Sequence, residues 1–342
     1  MTLELFAYII LCLLSLFFAY KESKFSNMKS LSRKIFAFII GATWFVIIRL
    51  SGFDIDINTY VEYLGNNIEF LLIKDSFYFL REFVFWGVFI GGYIILQDKI
   101  LILLSIDIIV LYFLIKTIIN FRLPFYSFFL LLCFFPNLMG YENVYRQYIA
   151  TILTLYAISI AYKNSFPIRK KEFKSYIFII IAGLCHNVAF LFFPLLFLLK
   201  KRFKLGIFLS LIIFIALPML SSSKSEGETG EVPVEFFLII TTILYIFYLI
   251  INSFRLTKTN IYFLSFVFIL ITESIIVLTG VASKRIVMFA LNIILIFIII
   301  SLQRSRFSLM NYRFFVLLLC FFMLAPTFLS NSSFQMLLTT NK

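Results

Sequence analysis

Hydrophobic residues in this chain gather into twelve long stretches separated by short polar ones. The stretches are Thr2–Tyr20, Ile35–Leu50, Phe77–Leu96, Ile100–Ile119, Leu123–Leu138, Val144–Tyr162, Tyr176–Leu199, Leu205–Leu220, Glu235–Ile251, Ile261–Leu278, Ile286–Leu302 and Phe314–Leu329. They are apolar on every side and do not alternate, so they predict lipid-embedded helices rather than barrel strands. The pattern predicts an all-α, polytopic transmembrane helix bundle of about 11–12 membrane segments. Residues 1–342 would form a single integral membrane domain. Positive charge follows the first stretch instead of preceding it, which predicts a retained helix rather than a cleaved signal.

The polar stretches give an orientation. Lys and Arg cluster at 21–34, 163–174, 200–204, around Arg255 and Lys258, and at 304–313. Short basic loops of this kind belong on the cytoplasmic side. Residues 51–76 and 221–235 are acidic instead and are predicted as extracytoplasmic loops. Basic clusters flank Tyr176–Leu199 on both sides, so that segment must return to the face it entered from. A hairpin of two short helices with Cys185-His186-Asn187 near its tip satisfies this. Four apolar stretches lie between the outer loop at 51–76 and the basic loop at 163–174, where an odd number of crossings is needed. Phe77–Leu96, interrupted by Arg81, Glu82 and glycines 87, 91 and 92, is expected to be re-entrant or interfacial. Leu123–Leu138, broken by Pro124 and Pro136, is the other candidate. Either choice puts Tyr141–Gln147 on the outer face.

Composition narrows the function classes. Hydrophobic residues make up 62% and charged ones 14%, which excludes a soluble globular enzyme, a disordered chain and a disulfide scaffold. The net charge of +13 sits in interhelical loops with no basic, aromatic-interleaved stripe, so it points to anionic lipid and not to nucleic acid. Four cysteines lie in separate apolar runs and only one histidine is present, which argues against a zinc or His-rich centre.

Ionisable groups in or beside membrane helices are costly and are functional candidates by default. One cluster is Arg49 through Tyr60, with Asp54 and Asp56; an interfacial anchor is its plainer explanation. Arg81-Glu82 could be a local ion pair. Glu142 and Arg146 are four residues apart and could simply pair along one helix, whereas a planar guanidinium there also suits a phosphate. His186 could be a packing residue. Lys284-Arg285 is a basic pair predicted on the outer face, where it either anchors or meets a ligand. Carboxylates Asp54, Asp56, Glu82 and Glu142 with cations Arg49, Arg146 and Arg285 would then share one leaflet, with His186 approaching from the hairpin tip. Such a pocket suits a polyisoprenyl diphosphate sugar, with arginines on the diphosphate and a carboxylate on a sugar hydroxyl.

Over roughly residues 35–300 the chain resembles the EpsG-type family of polysaccharide polymerases, relatives of the O-antigen polymerase Wzy. The resemblance rests on Arg49, Gly52 and Asp56-Ile-Asn-Thr-Tyr60. It continues with Glu82, Arg146-Gln147-Tyr-Ile-Ala150, His186 with Pro194, and Arg285. The sequence departs from the family in reading Phe-Val-Phe-Trp after Glu82 and Asn187-Val188-Ala189 after His186, and Asp54 has no counterpart. The resemblance implies a GT-C-like glycosyltransferase in a bacterial inner membrane, with its site facing outward. It would join undecaprenyl-diphosphate-linked repeat units. Asp56, or else Glu82, would act as general base and His186 would hydrogen-bond sugar or phosphate. Arg146 and Arg285 would stabilise the leaving diphosphate, and Arg49 would orient Asp56 or contact phosphate. Tyr60, Glu142 and Gln147 would complete the binding residues. No cofactor is implied, and a divalent ion is allowed rather than required. Expected partners are the lipid-linked oligosaccharide, membrane lipid and a chain-length regulator protein. A flippase for the same lipid or a membrane O-acyltransferase are the rival readings.

Overall fold

The computed structural model describes residues 2–22, 28, 30–66, 82–163, 169–221, 234–252, 257–278, 280–329 and 331–338. Arg81, the 51–76 segment from residue 67 onward, residues 222–233 of the other acidic loop, and Lys24, Lys29 and Arg255 lie outside them. All regular elements among the described residues are helical. They are α1 (Leu3–Lys21), α2 (Leu31–Ser51), α3 (Ile55–Asn66), α4 (Phe83–Leu96), α5 (Lys99–Phe121), α6 (Tyr126–Cys133), α7 (Phe135–Glu142) and α8 (Tyr145–Lys163). There follow α9 (Arg169–Cys185), a 3₁₀ turn (Asn187–Phe192), α10 (Phe193–Leu199), α11 (Phe203–Ser221), α12 (Val234–Ile251), α13 (Lys258–Val277), α14 (Gly280–Arg304), α15 (Leu309–Leu329) and α16 (Asn331–Leu338). Helices α1, α2, α5, α13, α14 and α15 are each long and apolar enough to cross a membrane. The chain is a polytopic helical membrane protein. Helix α14 is buried along nearly its whole length and forms the centre of the bundle.

The basic clusters share one end of the bundle. Arg33 pairs with Glu22 (3.0 Å), Glu22 accepts the Tyr126 N–H (3.1 Å), and Gln303 donates to the Arg122 carbonyl (3.2 Å). Arg304 bonds the Tyr162 hydroxyl. From that basic end the direction of each helix follows. Tyr145 lies beside Leu103, Phe113 beside Tyr156 and Phe121 beside Tyr162, so α5 and α8 run parallel, both toward the basic end. Helix α2 runs opposite to α5, with Arg49 against Asp107 and Gly41 against Leu111. A Cβ at Gly41 would stand 2.6 Å from a Leu111 methyl, so a larger residue there would push that side chain aside.

These directions resolve the parity problem. Helix α4 has 14 residues, about 21 Å of length. Its first turn packs Phe85 on Tyr145, and its last turns bring Gly92 against Ile102 near the start of α5. Both of its ends therefore stay at the end opposite the basic one, and α4 does not cross. The Leu123–Leu138 stretch does cross, but in two pieces. Helix α6 begins beside Glu22 and α7 ends at Glu142, on either side of a break at Phe134.

That break is fully buried, so its backbone groups need partners from within the protein. Pro136 brings no N–H, and the Asn137 N–H turns to the Phe134 carbonyl (2.8 Å). The carbonyls of residues 131–133 lose their helical donors and gain side-chain ones. Asn137 Nδ2 donates to Leu131 (2.7 Å), the Tyr141 hydroxyl to Leu132 (3.0 Å) and the Tyr8 hydroxyl to Cys133 (2.8 Å). Asn137 also bonds Asn292 Oδ1 (2.8 Å), and Tyr8 meets the Thr327 hydroxyl (2.8 Å). The bend is thus stitched to α1, α14 and α15.

The expected hairpin is present. Chain direction reverses at His186, so that Phe190 lies against Gly183, Phe197 packs on Tyr176 (5.4 Å) and Lys200 reaches Ser175 (3.3 Å). Helix α9 lies antiparallel to α8, with Phe178 on Tyr156 (4.7 Å), which carries the hairpin tip away from the basic end.

Candidate active site

Helix α2 ends at Ser51, and Gly52 adopts φ 121°, a backbone region that L side chains rarely enter. The turn it makes lays down α3, whose Ile57, Tyr60, Val61 and Leu64 are buried at helical spacing. At 12 residues, with Asp56 and Glu62 on it, α3 is an amphipathic helix at the end of the bundle and not a crossing. Asp56 sits in its first turn, where a carboxylate favours the helix dipole. The Asp56 N–H donates to Asn143 Oδ1 (3.4 Å), from the link between α7 and α8.

Arg146, in the first turn of α8, organises the surroundings. Its Nε donates to the Tyr60 hydroxyl (3.0 Å) and its Nη1 is ion-paired with Glu82 at the start of α4. The guanidinium stands 4.9 Å from the Tyr60 ring centroid and 5.8 Å from that of Trp86. Aromatic faces on this cation add attraction and hold its plane. The Arg146 and Glu82 side chains keep 13% and 12% exposure, so the pair is mostly buried but not fully sealed.

The other candidates converge on this pair. Asp56 lies within electrostatic reach of Arg285 and Arg146. Gln147, next to Arg146, donates Nε2 to the Arg285 carbonyl (3.1 Å) and to Met288 Sδ (3.5 Å), joining the starts of α8 and α14. At the hairpin tip Cys185 lies within electrostatic reach of Glu82, and the His186 ring is 6.4 Å from that of Phe289. His186 caps the 3₁₀ turn through Nδ1, which accepts the Val188 N–H (3.4 Å). A neutral ring therefore carries its proton on Nε2, a hydrogen-bond donor. Residues remote in the chain thus gather at one end of the bundle, the end away from the basic clusters.

Burial raises the Asp56 carboxyl above the ordinary carboxylate range; Arg285 and Arg146 oppose the shift and Asp54 adds to it. A base in this state must lose its proton before it can accept one, so activity that depends on it falls as pH drops through the raised value. Asp54→Asn removes the like charge and should move the acid limb of the pH–rate profile to lower pH, without abolishing the rate. An unmoved limb would detach Asp56 from the rate-determining proton transfer.

Three residues fall differently from their sequence expectations. Arg49, expected to orient Asp56 or contact phosphate, is 1% exposed and bonds Asp107 through Nε (2.7 Å) and Nη2 (3.1 Å). Tyr145 stacks on the Arg49 guanidinium (4.8 Å) and donates its hydroxyl to Asp107 Oδ1 (2.9 Å). Glu142 ends α7 while Arg146 belongs to α8, so they do not pair along one helix; Glu142 is buried within electrostatic reach of Arg49. Glu82 pairs with Arg146, and Arg81 is outside the described residues.

Sequence reasoning missed Asp107, Trp86 and Asn143. A lone carboxylate inside the Ile100–Ile119 stretch was a signal for the first. Among the described residues no group of three or more His, Cys, Asp or Glu could hold a metal ion.

A family model described as the EpsG family matches residues 34–339, nearly the whole chain. No curated protein and no solved structure matches the sequence significantly.

Proposed function

Since the chain belongs to the EpsG family, which includes Wzy-type polymerases, we propose that it is a membrane polysaccharide polymerase joining lipid-diphosphate-linked oligosaccharide repeat units. In the reaction an acceptor sugar hydroxyl attacks the anomeric carbon of the donor glycan. A new glycosidic C–O bond forms, the anomeric bond to the diphosphate breaks, and the polyisoprenyl diphosphate leaves. The hydroxyl proton passes to Asp56, or alternatively to Glu82. Arg146 and Arg285 neutralise the charge that develops on the departing diphosphate, in a partly dry site where such contacts are worth most. Nε2–H of His186 donates to sugar or phosphate, while Tyr60 and Gln147 hold Arg146 and the Arg285 segment in place. Arg49 and Glu142 act from beneath, as positioning groups.

The observation that carries this reading is the Arg146 cluster: a partly accessible guanidinium, held by Tyr60, Trp86 and Glu82, with the Asp56 carboxylate within its electrostatic reach. It offers an anion clamp and a base side by side, which a passive membrane protein would not need. The charge distribution of the loops supports a site on the outer face of a bacterial cytoplasmic membrane. The family membership is the ground for proposing undecaprenyl diphosphate as the lipid and a chain-length regulator as a partner. The polymer would be O-antigen, capsule or exopolysaccharide.

Surface glycan from a null strain, run on a gel with and without the chain restored, tests the proposal. Loss of the polymerase should leave single repeat units on the anchor, and restoring the chain should return the ladder. A null strain with no surface glycan at all would point to a flippase, and full-length but unacylated polymer to an acyltransferase.

A further inference from the structure

At the opposite end of the molecule from this site, α12, the end of α14 and the link to α15 enclose a cavity of about 560 Å³. Its walls include Asn252, Ser301, Arg304 and Arg306, with Ile251 and Phe307 on the apolar side. Among the described residues none that lines it is acidic. Arg304 is held in position, since its guanidinium bonds the Tyr162 hydroxyl and stands 5.6 Å over that ring. Gln303 ties the same turn to the end of α5 through the Arg122 carbonyl, which brings a further cation to the neighbourhood. On α12, Ile246 and Ile250 are exposed apolar residues in the turns leading up to Ile251. The cavity therefore joins a two-arginine, hydroxyl- and amide-lined floor to a hydrocarbon-compatible helix surface at the basic end of the bundle.

We propose that this cavity binds a phosphate group, with Arg304 and Arg306 on the anionic oxygens and Asn252 and Ser301 on the remaining polar atoms. Paired guanidinium groups suit phosphate through charge-assisted, two-pronged hydrogen bonds. Basic pockets between transmembrane helices on the cytoplasmic side are suited to anionic lipid headgroups. The site is separate from the polymerase reading and would stand without it.

The test uses the full-length protein purified in detergent, with retained lipid counted by native mass spectrometry in phosphatidylglycerol or phosphatidylcholine micelles. Wild type should retain phosphatidylglycerol preferentially. The double variant Arg304→Gln/Arg306→Gln should weaken that retention about tenfold, the loss of roughly 1.4 kcal/mol expected from removing charge-assisted contacts. Ser305→Trp, which keeps both arginines and puts an indole into the cavity beside them, should do the same. Lys34→Gln/Lys258→Gln, basic positions elsewhere, should leave it unchanged. Displacement of the lipid by excess inorganic phosphate would identify phosphate itself as the ligand; retention despite it would identify the lipid headgroup. Equal retention in wild type and both cavity variants, or an equal loss in the lysine variant, would overturn the proposal.

Discussion

Arg146→Ala should reduce surface glycan to single repeat units while the protein remains in the membrane at close to its normal level. Its guanidinium touches both Glu82 and Tyr60 and keeps partial exposure. If it stabilises the departing diphosphate, its loss should cost on the order of 10²–10³ in rate, the usual cost of removing one donor from a site of developing negative charge. The fold should tolerate the change because Glu82 retains access to water and can be rehydrated once its partner is gone. Arg146→Lys separates two parts of the role. It keeps the charge but loses the planar fork and the stacking on Tyr60 and Trp86, so polymer should return only as short chains. Quantifying ladder length against membrane abundance for the two variants gives the answer, and normal polymer in the alanine variant would remove Arg146 from the chemistry.

The second large effect is expected on stability, at Asp107. Its carboxylate is fully buried and carries both the bidentate bond from Arg49 and the Tyr145 hydroxyl. Asp107→Ala strands the Arg49 charge inside the bundle. Removing one member of a buried pair generally costs about 3–5 kcal/mol, because the remaining charge has no substitute for water. The detergent-solubilised variant should therefore unfold at a markedly lower temperature, and its membrane level should fall. Arg49→Met/Asp107→Leu removes both charges and should recover most of the loss, since an apolar pair of similar volume carries no desolvation penalty. Tyr145→Phe should cost less, about 1.5–3 kcal/mol, the worth of one hydrogen bond to a charged group. If the double variant were as unstable as Asp107→Ala, the loss would lie with the neighbours of the pair, Tyr145 and Glu142, rather than with the stranded Arg49 charge.

Much of the fold is legible in the sequence because the membrane makes local chemistry decisive. A run of apolar residues must be a helix there, and a basic loop must lie at one face. Counting those loops shows that one of four stretches does not cross; the charges and glycines of Phe77–Leu96 favour it over Leu123–Leu138, and α4 indeed keeps both ends at one end of the bundle. Flanking basic clusters likewise anticipate the reversal at His186. Pairing is far less legible. Arg49 and Asp107 lie 58 residues apart, so neither identifies the other in the sequence. Glu142 and Arg146 have the spacing of a helical pair, yet Asn143 and Val144 interrupt the helix and release Arg146 to Glu82. Spacing arguments assume one continuous helix, and a break that falls between two residues cancels them. Trp86 was hidden for the opposite reason: it reads as one more apolar residue in a run, and only packing against Tyr60 and Arg146 gives it a role.

The buried bend between α6 and α7 has a consequence for biosynthesis. Its freed carbonyls are answered by Tyr8, which emerges from the ribosome long before them, and by Asn137, whose own second partner is Asn292. Tyr8 in turn meets Thr327, 319 residues away. While the chain is still growing, these groups have no permanent partners and must be sheltered by the translocation machinery or by transient neighbours. The bend leads directly into Glu142 and Asn143, so the residues beneath Asp56 become fixed only when the last long helices have been inserted. A half-made chain would therefore carry an unfinished Asp56–Arg146 cluster, incomplete until synthesis is nearly done.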